Sequence, residues 1–277
     1  MILFGRAWFL SVGNLDLSDI DLIFKVERST RREPNTAEIQ IFNLNDTSRA
    51  SIERGAAIRL RAGYGANPSQ IVRGDVRDVW TVGDQVDRTT FVTSRDGGTA
   101  YAEAPISRAY GPGTRCGQVL RDVVSALGIG EGNLSEFEAA FQLRTGASTF
   151  ADGYVAHGRA SRILNDLLRG AGLRWSVQNG ALQILRSGAP LQTQEIVLSS
   201  DTGLVGSPTW DDQGHRTGGA RGVVSAKCLI QPGVEPGRKV RIESRDITGD
   251  FEVRKVAYNG DTRGQDWYAT IEGRPCH

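Results

Sequence analysis

The chain has 277 residues and a nearly balanced charge, with 33 Lys and Arg against 32 Asp and Glu. A net charge of +1 excludes a strong overall attraction to nucleic acid, an acidic membrane surface or another polyanion. The length is ample for the core of about one to three domains, and 39% hydrophobic with 23% charged residues is typical of a folded globular protein. The 34 glycines indicate many turns and therefore favour a strand-rich fold.

No apolar run approaches the ~20 residues of a membrane-spanning helix, so no membrane insertion is expected. Residues 1–10 are apolar without a basic start and are predicted to form a first strand, not a signal peptide. The cysteines Cys116, Cys228 and Cys276 are far apart and odd in number, which argues against a disulfide framework and a zinc knuckle. This usage predicts synthesis in a reducing cytoplasm.

Residues 1–97 are predicted to form an all-β domain with one short helix. Alternation of apolar and polar residues indicates strands with one solvated face. These strands are expected at 21–27, 37–44, 57–63, 72–82 and 89–94. A helix over 47–54 is expected to be capped by Asn45 or Asp46 and to end at Gly55.

Residues 98–200 change character and are predicted to form an α+β middle domain. One helix follows Thr114 and stops at Gly128, and a second runs over about 159–171 with Gly172 after it, because apolar residues recur at helical spacing. Asn179-Gly180 between two alternating runs is a strong hairpin signal. The stretch 130–158 has weak periodicity and is expected to be a long loop.

Residues 201–277 return to alternating strands and are predicted to form a second β domain. One strand is expected just before this part, at 195–198, and the others at 223–230, 239–244, 251–258 and 266–271. The polar, glycine-rich stretch 209–222 is expected to be an exposed loop.

The two strand-rich parts resemble each other in sequence. Residues 76–84 align without gaps on 253–261, with five of nine positions identical. The alignment extends to three further pairs: Phe91 with Tyr268, 55–60 with 237–242, and 37–41 with 225–229. Any two sheets of alternating residues look alike, but four segments in the same order favour an internal duplication. A homotrimer of such a chain presents six similar domains in a ring, which matches a six-fold partner.

Several segments resemble baseplate hub proteins of tailed bacteriophages, the late control protein D group. The segments that carry this resemblance are 14–19, 24–26, 34–39, 42–44, 73–76, 172–177, 201–208, 229–238, 249–253 and 260–268. It spans nearly the whole chain, is weakest over 130–158, and consists of structural motifs without a catalytic signature.

The resemblance implies a homotrimeric hub at the tail tip, with two tail-tube-like β-barrel or sandwich domains and a helix–hairpin domain per chain. Implied partners are the tail tube or distal tail protein, a spike or tip protein and the tape measure protein. DNA would pass through the lumen without specific binding. The location would be the virion tail, assembled in the cytoplasm of a bacterial host. The turn holding Arg31, Arg32, Glu33 and Asn35 is predicted to contact the stacked ring.

No catalytic, metal or cofactor residues are predicted. The histidines His157, His215 and His277 lie in glycine-rich loops or at the terminus, away from a Gly-x-Ser-x-Gly elbow. Zinc at Cys276-His277 on a three-fold axis is a remote alternative. Gly111 to Thr114 lacks the lysine of a phosphate-binding loop.

Two other classes of protein remain as alternatives to the hub. A cell-wall-degrading tail enzyme would need two facing carboxylates or a nucleophile–base pair. A carbohydrate-binding module would need exposed aromatics. Trp210, in a polar segment, is the candidate for such a site, whereas Trp175 and Trp267 are expected in the core.

Overall fold

The computed structural model describes residues 5–18, 20–66, 68–83, 88–96, 104–138, 147–186, 188–191, 195–211, 222–231 and 233–276. Contacts divide the chain into two compact units. The sheet unit comprises Met1–Thr30, Asn35–Asp96 and Ala189–His277, and the helix–hairpin unit comprises Arg31–Pro34 and Gly97–Gly188. The division into three domains at residues 97 and 200 stays a prediction.

The strands in chain order are β1 (Arg6–Val12), β2 (Leu15–Asp16), β3 (Leu22–Ser29), β4 (Thr36–Phe42), β5 (Ala57–Tyr64), β6 (Ser69–Gly83), β7 (Arg88–Arg95), β8 (Pro105–Tyr110), β9 (Thr114–Arg115), β10 (Thr149–Phe150), β11 (Tyr154–Arg159), β12 (Leu173–Gln178), β13 (Ala181–Arg186), β14 (Ile196–Leu198), β15 (Leu204–Asp211), β16 (Val223–Leu229), β17 (Lys239–Glu243), β18 (Thr248–Asp261) and β19 (Trp267–Pro275). The helices are α1 (Asp46–Ala50), α2 (Cys116–Ala126), α3 (Leu134–Glu138) and α4 (Ala160–Gly170). The described part of the chain contains no helix with the length and hydrophobicity needed to cross a bilayer.

The fold is mainly β, with 55% strand and 14% helix, and this confirms the predicted fold class. In the sheet unit, 13 strands form one curled, half-barrel sheet in the order β15-β16-β19-β18-β3-β4-β7-β6-β5-β1-β2, with β17 and β14 attached beside β18. The predicted alternation holds along β3, where Leu22, Phe24 and Val26 are buried while Lys25 and Glu27 are exposed. One face of the sheet therefore carries the core of this unit.

The sheet contains the same strand arrangement twice. Repeat 1 consists of β3 to β7 and repeat 2 of β15 to β19. In both, the five strands are ordered first-second-fifth-fourth-third, and all pairings between neighbours are antiparallel. The repeats differ at the outer neighbour of the third strand, since β1 pairs antiparallel with β5 but β14 pairs parallel with β17.

The register of the two repeats also agrees. Two rows of residues across four strands match, namely Val26, Ala37, Ser94 and Val76 in repeat 1 and Trp210, Val224, Gly273 and Val253 in repeat 2. The fourth strand is bulged at the same place in each, directly after Val76 and directly after Val253. A shared bulge supports the internal duplication, because bulges are specific features of a strand and not a general consequence of alternation.

Two details of the sequence alignment are wrong. Ala37 corresponds to Val224, not to Ser225, since a one-residue slip would exchange the buried and solvated faces of the strand. Phe91 lies opposite Trp80, whose counterpart Ala257 lies opposite Thr270, so Phe91 does not correspond to Tyr268. Six residues separate the paired Gly260 and Trp267, whereas four separate the paired Gly83 and Arg88, and this difference shifts the alignment by two residues.

The helix–hairpin unit has a second core between α2, α4 and the hairpin β12–β13. Leu120, Val124, Leu164 and Leu168 are buried there, as their helical spacing predicts. The described core also includes Trp175 on β12. The predicted hairpin is present, and its two turn residues have positive φ, 54° at Asn179 and 74° at Gly180, which is typical of a type I′ turn.

Two predicted loops contain regular structure instead. The stretch 130–158 holds α3, β10 and most of β11, whose strand pairs with β8. Strand β15 extends over Thr209, Trp210 and Asp211, and residues 212–221 lie outside the described part of the chain. The described residues of both segments include few buried apolar side chains, so the alternation that reveals other strands is weak here.

Candidate functional site

The predicted contact turn connects β3 to β4. Arg31, Arg32 and Glu33 are exposed, whereas Asn35 is buried, with 7% of its surface accessible. Nδ2 of Asn35 donates a hydrogen bond to Oδ2 of Asp96 over 2.8 Å. The turn thus has an exposed, charged tip and a buried base, and its contact with a stacked ring stays a prediction.

His157 is the only histidine within the described residues, and it lies on β11 rather than in a loop. Its Nδ1 is 3.3 Å from Oγ of Ser107 on the paired strand β8, which is its one polar contact in the described part of the chain. A serine hydrolase needs a third group to orient such a base. His215 and His277 lie outside the described residues.

The cysteines are free thiols with buried side chains. Burial raises the pKa of Cys228 to about 12, so its thiol stays protonated at neutral pH. Among the described residues, no group of three His, Cys, Asp or Glu side chains has a geometry that could hold a metal ion.

An open cleft of about 860 Å³ lies within the helix–hairpin unit, along β11 and α4. Its charged lining consists of Arg32, Glu33, Arg159, Arg162 and Asp166. Both acids and arginines thus line the cleft, as on an ordinary solvated surface.

The tryptophans occupy different environments. Trp175 and Trp267 are buried, with 3% and 2% exposed, as expected for core residues. Nε1 of Trp267 donates to the carbonyl of Gly63 over 3.0 Å. Trp210 is 42% exposed, and its ring packs against Phe251 with centroids 5.9 Å apart.

Two sheet edges form the most distinctive exposed feature of the sheet unit. The second half of β6, residues 78–83, pairs with β7 on one side and with no described strand on the other. Strand β15 pairs with β16 and likewise has no described partner on its other side. Four of the five exposed large hydrophobic side chains among the described residues lie on these two strands: Trp80 (46%), Val82 (57%), Val205 (38%) and Trp210 (42%).

Sequence reasoning did not select Trp80, Val82 or Val205. The alternation of β6 is that of any strand with neighbours on both sides, so the missing neighbour cannot be read from it. The internal repeat is the signal that could have revealed this edge. It makes β6 equivalent to β18, and β18 has a neighbouring strand, β3, on the side where β6 has no described neighbour.

The fold is that of phage tail proteins. The 43 kDa tail protein of prophage MuSo2 from Shewanella oneidensis is similar, with a TM-score of 0.67 and 12% identity over 98% of each chain. A tail protein from Neisseria meningitidis MC58 has a TM-score of 0.63 and 9% identity over 98% of this chain and 97% of its own.

A third similar structure comes from a secretion machine. The Escherichia coli c3393 protein has a TM-score of 0.58 and 12% identity over 97% of this chain and 77% of its own. It is described as a component of the type VI secretion system with structural similarity to the T4 bacteriophage tail proteins gp27 and gp5. No protein-family model and no curated protein matches the chain, so the likeness is one of fold.

Proposed function

We propose that the protein is a structural, non-enzymatic hub at the tip of a phage-type tail. In this role three copies form a ring with pseudo-six-fold symmetry, which joins the hexameric tail tube to the central spike or tip protein. The ring lines the channel for DNA ejection. Its place is the baseplate or tail tip of the virion, after assembly in the host cytoplasm.

The observation that carries the proposal is the internal repeat. Two five-strand units with the same order, register and bulge are joined in one chain by the pairing of β18 with β3. Three such chains supply six similar units, so one face can match a six-fold tube while the other keeps three-fold symmetry. The similarity of fold to tail proteins and to a type VI secretion component supports a place in such a machine.

The proposed partners follow from this position. The tail tube or distal tail protein stacks on one face of the ring, where the exposed tip at Arg31, Arg32 and Glu33 contacts it. The spike or tip protein binds the other face, and the tape measure protein and DNA pass through the lumen. A near-zero net charge suits this passage, because strong phosphate contacts would retain the DNA.

The test is the native mass of the purified protein, followed by cryo-electron microscopy. We expect a species of about three times 30.0 kDa and a closed ring with an open lumen. A protein that remains monomeric at high micromolar concentration, or a two-fold assembly, would overturn the proposal. Peptidoglycan hydrolysis and glycan-array binding assays should both be negative, and a positive result in either would favour the alternatives of a wall-degrading enzyme or a carbohydrate-binding module.

A further inference from the structure

The two repeats of one chain are joined by a strand pairing that can be described residue by residue. Strand β18 has two successive neighbours along one edge. Its first half pairs with β17, and its second half, from Lys255 to Asp261, pairs antiparallel with β3. In this junction Tyr258 lies opposite Val26, and both are buried, with 2% and 1% exposed.

Each half of this junction has a counterpart elsewhere in the sheet. Strand β6 is the counterpart of β18. Asp75 of β6 lies opposite Ala57 of the third strand in repeat 1, and Glu252 of β18 lies opposite the equivalent Lys239 in repeat 2. The bulge follows Val76 in β6 and Val253 in β18, so positions counted from these two valines correspond. The fifth residue after Val76, Thr81, is therefore equivalent to the fifth residue after Val253, Tyr258. Strand β15 is the counterpart of β3, and Trp210 is the counterpart of Val26 in the matching rows across the sheet.

These counterparts are the two edges that have no described partner in the chain. Val26, which is paired with β18 and belongs to the core cluster, is 1% exposed. Trp210, at the equivalent position without such a described neighbour, is 42% exposed although its ring packs on Phe251. Trp80 and Val82 are exposed on the β6 edge. Exposed apolar strands of this kind are rare on monomeric proteins unless another chain covers them.

We propose that the edge of β6 formed by residues 78–83 pairs antiparallel with β15 of a second copy of this chain, in the register of the internal junction. Thr81 then lies opposite Trp210 of the second copy, and Val82 opposite Thr209. The inference rests on the proposed ring and specifies its contacts. Each copy offers two different edges, so the contact is head-to-tail. It closes into the proposed ring when each copy is rotated by one third of a turn from the next, whereas a two-fold contact gives only a dimer.

One charge differs between the two junctions. The internal junction has an ion pair between Nζ of Lys255 and Oε2 of Glu27 over 3.0 Å. Asp78 takes the place of Lys255 in repeat 1, and Asp211 takes the place of Glu27. Asp78 is paired with Arg54 over 2.6 Å within its own chain, so its charge is balanced before the edges meet.

A disulfide experiment tests the register. In the double variant Val82→Cys and Thr209→Cys, the new thiols of neighbouring copies lie opposite each other, at the Cα separation that a disulfide requires. Oxidation of the assembled full-length protein should give covalent dimers and trimers on a non-reducing gel. The double variant Thr81→Cys and Thr209→Cys is the control, because a shift of one residue points the thiols to opposite faces of the sheet and should prevent the bond.

The outcomes separate this inference from the proposed function. A native trimer in which the register-matched pair does not cross-link, or in which the control pair cross-links equally, overturns the edge pairing and leaves the ring standing. Cross-linking of the matched pair alone supports it. A protein that is monomeric at every concentration contradicts both.

A second variant probes the same edge without relying on oxidation. Val82→Asp places a charge on the β6 edge at a side chain that is 57% exposed, so the chain should fold normally and its trimer should dissociate at least tenfold more readily. Val155→Asp, at a side chain that is 69% exposed in the helix–hairpin unit, is the matched control and should leave the association unchanged. Sedimentation or light scattering over a concentration series measures the difference, and equal effects of the two variants would overturn the inference.

Discussion

Asn35 and Asp96 hydrogen-bond to each other in the interior of the sheet unit, although each lies just outside a strand. Besides the 2.8 Å bond between their side chains, the backbone N–H of Asp96 donates to the carbonyl of Asn35 over 3.1 Å. Oδ1 of Asn35 accepts from the N–H of Ser29 at the end of β3. The asparagine therefore holds the ends of β3 and β7 in place.

Replacing this asparagine should destabilise the sheet unit. In Asn35→Ala the carboxylate of Asp96, which is 7% exposed, loses a donor, and we expect a loss of about 2 kcal/mol in the free energy of unfolding measured with urea. Glu33→Ala, at the exposed tip, should change this free energy by less than about 0.5 kcal/mol. Equal losses in the two variants would show that the buried hydrogen bond is not the cause.

The carboxyl group of Asp75 on β6 should make stability depend on pH. Burial raises the pKa of Asp75 above its ordinary value, so its ionised form is disfavoured in the folded chain. The protonated form of Asp75 stabilises the folded chain. Its contribution is fully present below the pKa of Asp75 in the unfolded chain, about 4, and is lost as pH rises through the higher pKa of Asp75 in the folded chain. Asp75→Asn should therefore raise the midpoint of thermal unfolding at pH 7 and have little effect at pH 3.

The control for this prediction is Asp246→Asn, which removes the same charge from an exposed position. A gain at pH 7 that is equal in both variants, or a gain for Asp75→Asn that persists at pH 3, would point to net charge or to packing instead of burial.

Gly260 allows the close approach of β18 and β3. It lies directly opposite Phe24, and a Cβ at this position would overlap the phenyl ring. Gly260→Ala should therefore cost about 1–3 kcal/mol in the free energy of unfolding, because the core around the ring must shift. Gly249→Ala on the same strand is the control, since its Cβ would make only an ordinary contact of 3.6 Å with Phe251. A larger loss at Gly249 would contradict this assignment.

The hairpin of the helix–hairpin unit depends on its turn. Gly180 has a φ of 74°, which costs an L-residue about 1–2 kcal/mol, so Gly180→Ala should lower the stability of this unit by that amount. Gly111→Ala is the control, since Gly111 has no positive φ and its Cβ would meet no atom within 4 Å. Hydrogen exchange of the β12 and β13 amides would localise the loss, and uniform exchange changes across both units would argue against it.

Local signals in the sequence correctly predicted much of the fold. Asn45 caps α1, with its Oδ1 accepting from the N–H of Ser48 over 2.8 Å, and Asn179-Gly180 forms the expected turn. These signals are read within a few residues and need no knowledge of the rest of the molecule. Strand β8 was missed because four of its six residues, including Ser107 and Arg108, are exposed and none is buried, so it shows no alternation of buried and exposed positions.

The candidate site was harder to predict, because it depends on which strands lack a neighbour. Trp80 lies in an apolar-rich run, Val79 to Val82, that a strand with two neighbours could equally contain. Trp210 directly follows Pro208 and Thr209, which do not indicate a strand. Exposure at these positions results from pairings made by residues far away in the chain. Only the comparison of the two repeats, strand by strand, identifies the open edges.

The pairing of β3 with β18 has a consequence for synthesis of the chain. The two strands are separated by roughly 220 residues, so β3 waits on the order of ten seconds or more for its partner to leave the ribosome. During that interval the apolar edge of β3 is open to β18 of a neighbouring nascent chain, and the exchanged product would be a domain-swapped oligomer. The yield of correctly folded protein should therefore fall at high expression rates and recover at low ones. The cause is the order of the strands in the chain and not any single side chain.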